Sequence, residues 1–233
     1  MKTIKYAVLT LLFITLSIST ALLVYLHFFA SDMEDLSGEW TANLDMTEQA
    51  AVAAYSWLQD IEAVSVSIED MESYMQDLTI QVNLTLEQTA RSEGTFRCSV
   101  SQESYDACNQ AAYEAFAFAF KEILAERLHM AGYTDSADRE DIETLVTETF
   151  GMSTVSYLMS CGPALLPSLE DLQAQYDGRG TYEIAEGILT RQYDDGQPDD
   201  IKVEYYISND YNLILSEETS LILYEKQVEG EEQ

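Results

Sequence analysis

Four carboxylates stand close together at Asp194, Asp195, Asp199 and Asp200, in the stretch DDGQPDD. Carboxylate oxygens at short spacing are what calcium takes as ligands. The stretch lacks the oxygen spacing and the distal glutamate of an EF-hand loop, so it is a weak metal candidate that reads equally as a solvated acidic turn. Nucleophilic chemistry has less to work with. The chain has two histidines, His27 and His129, and no G-x-S-x-G, H-E-x-x-H or S-x-x-K motif. A zinc centre or a histidine-activated serine would need more. There is no glycine-rich phosphate loop, and no cofactor is expected. Paired carboxylates could still serve as acid and base, with Asp45 and Glu183 beside strand aromatics as the positions to inspect. The expectation is a non-enzyme, with a carboxylate-based extracytoplasmic hydrolase as the alternative.

Cys98, Cys108 and Cys161 make an odd set without a C-x-x-C pair, so a redox motif or zinc ribbon has no support. A Cys98–Cys108 bridge and a buried, apolar Cys98 both fit the sequence.

Strands and helices must position whatever acts. In GEWTANLD, from Gly38, Trp40, Ala42 and Leu44 alternate with polar residues, the period of a half-buried strand. Thr47 reads as the cap of a helix that follows, and Ser67 as the cap of a second. Leu78, Ile80, Val82, Leu84 and Leu86 alternate without a break. After Gly94, which is expected to supply the turn, Phe96, Cys98 and Val100 do the same, so the two runs predict a hairpin. The period then changes. From Ser104 to Met130 there is no Gly or Pro, and Tyr105, Cys108, Ala112, Phe116, Ala119 and Ile123 step by three and four. Phe118 leaves that stripe and is the position expected to face a partner. Shorter helices are predicted around Ile142–Phe150, Met152–Ser160 and after Ser168. From Gly180 the period returns to two through five strands, and in one of them Ile201, Val203, Tyr205 and Ile207 form the apolar set.

Eight strands at short spacing predict an α+β domain: an antiparallel barrel or strongly curved sheet carrying a helical insertion at about 104–176. Ahead of it, Lys2 and Lys5 precede an uncharged run from Tyr6 to Ser31, and Asp32, Glu34 and Asp35 follow. Residues 7–30 would span roughly 36 Å as a helix, against a hydrocarbon core of about 30 Å. The charge asymmetry predicts a single-pass anchor over residues 1–31, the N-terminus cytoplasmic and residues 32–233 extracytoplasmic. A cleaved signal peptide and a secreted domain are the alternative. All 42 Asp and Glu residues follow residue 30, and the net charge is −31. Such a surface repels nucleic acid.

Gly38-Glu39-Trp40 has the G-x-W form of the first lipocalin strand. Together with GTFRCSVS, GTYEIAEGILT and YNLILSE, it resembles the lipocalin-like domain proteins exported by Gram-positive bacteria. The likeness covers about 38–101 and 180–226. It implies a barrel, often preceded by a membrane segment. The expected function is a binding module for a small apolar ligand or an envelope partner protein. It also implies an arginine from near the barrel's end over the tryptophan, and here the chain departs from the pattern, because its last strand offers Lys226. Ligand-binding candidates are Trp40, Phe96, Phe118 and Tyr205, each of which could instead belong to the core. A purely structural partner domain of an envelope complex is a further alternative.

Overall fold

The computed structural model describes residues 16, 18–20, 35–59, 67–133, 138–194, 201–217 and 220–227. The chain divides into two compact units, Met1–Asp35 and Leu36–Gln233. In the first, Leu16 and residues 18–20 are helical. Among the described residues no helix is long and apolar enough to cross a membrane. The rest of the predicted anchor, residues 7–30, lies outside them.

The second unit is a closed barrel of eight antiparallel strands, each paired with its neighbours in chain order and β1 with β8. The strands are β1 (Gly38–Asp45), β2 (Thr79–Gln88), β3 (Glu93–Val100), β4 (Gly178–Ala185), β5 (Ile188–Tyr193), β6 (Ile201–Ser208), β7 (Asn212–Glu217) and β8 (Ser220–Lys226). This is the barrel that the resemblance implies. Among the described residues of this unit six helices accompany it: α1 (Thr47–Gln59) and α2 (Ile68–Tyr74) between β1 and β2, then α3 (Gln102–Met130), α4 (Arg139–Phe150), α5 (Thr154–Cys161) and α6 (Leu169–Tyr176) between β3 and β4. Both helical connections leave and rejoin the same end of the barrel, because β1 and β3 run toward it while β2 and β4 start there.

Local chemistry accounts for the turns and helix starts. Glu186 and Gly187 both have positive φ, 52° and 80°. Two left-handed residues match the twist of a two-residue hairpin, and they join β4 to β5. Asn209 Oδ1 accepts from the amides of Tyr211 and Asn212 at 2.9 and 2.8 Å, closing the β6–β7 turn. Gly94 is not the turn that its position suggests. It lies inside β3, where a Cβ would meet the Tyr182 ring at 2.5 Å, and residues 89–92 make the connection. Ser67 and Asp138 cap α2 and α4 with full capping boxes. Thr47 is itself the first residue of α1, and the Asp45 carboxylate takes its amide at 2.9 Å.

The helices pack as a second layer on that end. Ser104 Oγ accepts from Gln81 on β2 at 3.0 Å, and Asp177 after α6 accepts from Val100 on β3 at 2.7 Å. Trp57 of α1 meets Phe116 and Phe120 of α3 at 5.7 and 6.0 Å between ring centroids. Ile142 and Val146 of α4 bury against Ala125 of α3.

Candidate interaction surface

The barrel middle is filled. Trp40, Leu84, Leu86, Phe96, Tyr182, Leu189, Leu213, Leu215 and Tyr224 point inward and are nearly inaccessible. A ligand-sized void, open or sealed, would leave such lining with accessible surface. Trp40 plugs the end opposite the helices. Its indole N–H donates to the Leu36 carbonyl at 2.9 Å, and Lys226 Nζ lies 5.1 Å from the ring centroid. The lysine stands where the resemblance calls for an arginine, and its ammonium over the indole is attracted by the ring's electron-rich face.

One part of this interior is ionic. Arg191 of β5 donates from Nε and Nη2 to the two carboxylate oxygens of Glu204 on β6, at 2.6 and 2.8 Å. Both side chains are almost wholly buried, and Lys202 Nζ stands 3.6 Å from the same carboxylate. Burial works against the Arg191 charge. The Glu204 carboxylate outweighs it and holds the guanidinium above its ordinary pKa. Phe96 and Tyr193 flank the guanidinium at 5.3 and 5.9 Å.

That pair turns β6 around. The sequence expectation has Ile201, Val203, Tyr205 and Ile207 as the apolar set of the strand, with Tyr205 in core or pocket. In the structure Lys202, Glu204, Tyr206 and Ser208 share the inward face, and Tyr205 and Ile207 are 67% and 70% exposed. Period two fixes alternation but not which set faces in, and Arg191 requires its partner carboxylate inside. β8 behaves alike, with Tyr224 inside and Leu221 and Leu223 outside.

The outer face therefore has two unlike halves. β1 to β4 present Glu39, Asn43, Thr85, Glu87, Thr95, Arg97, Arg179, Thr181 and Glu183. A groove of about 380 Å³ runs between Thr85, Glu87, Arg97, Arg179 and Asp194 on this half. β5 to β8 present apolar side chains in register. One row is Ile188, Tyr205, Ser216 and Leu221; the next is Ile207, Ile214 and Leu223; Val203 lies opposite Thr190. Among the described residues Glu225 is the single charged side chain pointing out from these four strands.

The other predicted positions are scattered. Trp40 and Phe96 belong to the barrel core. Phe118 is 44% exposed on α3, with Arg139 4.3 Å above its ring and Tyr74 beside it. Asp194 lies 3.9 Å from Arg179, and Asp195, Asp199 and Asp200 fall outside the described residues. Among the described residues no three His, Cys, Asp or Glu side chains gather as a metal site. Asp45 and Glu183 lie toward opposite ends of the barrel, at the end of an upward and of a downward strand. His129 is exposed at the end of α3. All three cysteines are free thiols. Burial pushes Cys108 up to about 11 and raises Cys98 as well, so neither is poised as a thiolate. What sequence reasoning missed is the β5–β8 wall. Its signal was present: four apolar residues on β6 alternating with Lys202 and Glu204, whose charges demand partners wherever they point.

No protein-family model, curated protein or solved structure matches this chain.

Proposed function

We propose that the chain is a membrane-anchored extracytoplasmic interaction module of lipocalin-like type that docks a protein partner on the outer wall of β5–β8. The observation that carries this reading is that wall. In a chain of net charge −31, four adjacent strands present large apolar side chains and, among the described residues, one outward charge. Soluble monomers rarely leave so wide an apolar patch bare, and patches of this size mark interaction sites. The filled barrel middle favours contact outside the barrel over an apolar ligand within it. The Trp40 plug under Lys226 supports the lipocalin-like assignment, and the uncharged run between Lys5 and Asp32 supports the anchor.

A photo-crosslinking residue at Tyr205, introduced in the producing cell, tests this. Discrete protein adducts are expected at Tyr205 and not at Thr181 on the polar half. Equal labelling at both positions, or none at Tyr205, counts against the wall as a docking surface.

A further inference from the structure

This inference rests on the docking reading and names the occupant: we propose that the β5–β8 wall is a two-fold interface with a second copy of this chain. Three features argue for a copy.

The first is area. Ile201, Val203, Tyr205, Ile207, Leu221 and Leu223 are each 45% to 70% exposed. At on the order of 100 Å² apiece they offer roughly 600 Å², and the half-buried Ile188, Thr190, Ile214 and Ser216 between them bring the wall near the ~800 Å² a side of a standard interface.

The second is charge. A basic partner would be recognised by the acidic surface that covers most of the molecule, not by the stretch from which charge is missing. Two chains at −31 repel on most approaches. The face whose one outward charge is Glu225 is where they can meet at least cost.

The third is relief. Ser216 stands in register between Tyr205 and Leu221, so the row is high, low, high. An isologous contact sets the same patch against itself. The Tyr205 ring of one copy then seats over Ser216 of the other, and the reverse holds by symmetry, at the ~10 Å spacing of face-packed sheets.

Sedimentation of the full chain in detergent micelles provides the test, with Tyr205→Glu, Ile207→Glu and the polar-wall control Thr181→Glu. These side chains point outward, and near-UV circular dichroism verifies that each variant keeps its fold. Wild type and Thr181→Glu are expected to dimerise, with the two wall variants weaker by at least about tenfold in dissociation constant. The wild-type dimer should tighten from low to high NaCl, because salt screens the mutual repulsion and leaves apolar contact intact. A monomer at every concentration overturns the proposal. So does a dimer that survives Tyr205→Glu, since association would then run through another segment. The Tyr205 adducts separate this proposal from the reading beneath it. Adducts at twice the chain mass support a second copy. Adducts of other masses alone overturn the copy and leave docking standing, and no adduct removes both.

Discussion

Arg191 and Glu204 decide more than their own contact. A guanidinium inside a barrel costs several kcal/mol in lost hydration, offset only by a well-placed carboxylate. Bidentate geometry at 2.6 and 2.8 Å supplies it. With the pair inside, the odd-numbered residues of β6 must point out, and the apolar wall follows. Glu204→Leu should therefore destabilise the barrel by about 3–5 kcal/mol, because it leaves Arg191 buried and unpaired. Adding Arg191→Met should recover most of that loss, since a packed apolar pair often does as well as a buried ion pair. Urea unfolding of the two variants measures both steps. If the double variant is as unstable as the single one, the pair does something beyond neutralising itself. The residue scale is also where sequence reading fails. Trp40 could be placed inside because every alternate neighbour in its strand is polar. Tyr205 could not, because the opposing set on β6 holds both a tyrosine and two charges, and only a partner on another strand settles the phase.

At the scale of elements, periodicity was enough to find the eight strands and the long helix, whose predicted start at Ser104 and end at Met130 lie close to the observed Gln102–Met130. Antiparallel order alone puts both helical connections at one end of the barrel, but periodicity could not show how their helices pack on it. The starts of these helices tie stability to pH. Backbone amides of Asp141 and Glu140 hold Asp138 below the ordinary carboxylate range, and the Ser67 amide does the same for Asp70. On α4 the Lys121 ammonium, 2.8 Å away, lowers Glu143. A carboxyl depressed in the fold contributes stability that is present above its unfolded value, about 4, and is lost as pH falls through the depressed one. These carboxyls make the thermal midpoint fall as pH drops below about 4, against the relief of self-repulsion that protonating the rest of the acidic surface brings. Asp138→Asn keeps a capping oxygen that does not titrate. It should leave the midpoint at pH 7 nearly unchanged and flatten the acid slope. A slope as steep as wild type would show that the α4 cap has no part in acid unfolding.

For the whole molecule, charge and wall are complementary facts. The sequence shows 42 acidic residues against 11 basic ones, and it shows ample apolar content. It does not show their segregation, which arises when β5 to β8 turn alternate residues outward on one side of a closed cylinder. Under the proposed docking, the acidic surface would aid solubility while the β5–β8 side, whose one outward charge among the described residues is Glu225, makes the contact. The same surface burdens the fold, because like charges are brought closer in the folded state than in the open chain. Added salt should relieve that burden. The thermal midpoint at pH 7 should rise from low ionic strength to about 0.15 M, where the screening length has shrunk to about 8 Å, and change little beyond. Dimerisation would also raise the midpoint with salt, so the scan belongs on Tyr205→Glu at low concentration as well as on wild type. If the rise persists in that variant, self-repulsion within one barrel is its source. If it vanishes, salt acts through association at the wall, and the acidic surface imposes no measurable strain on the monomer.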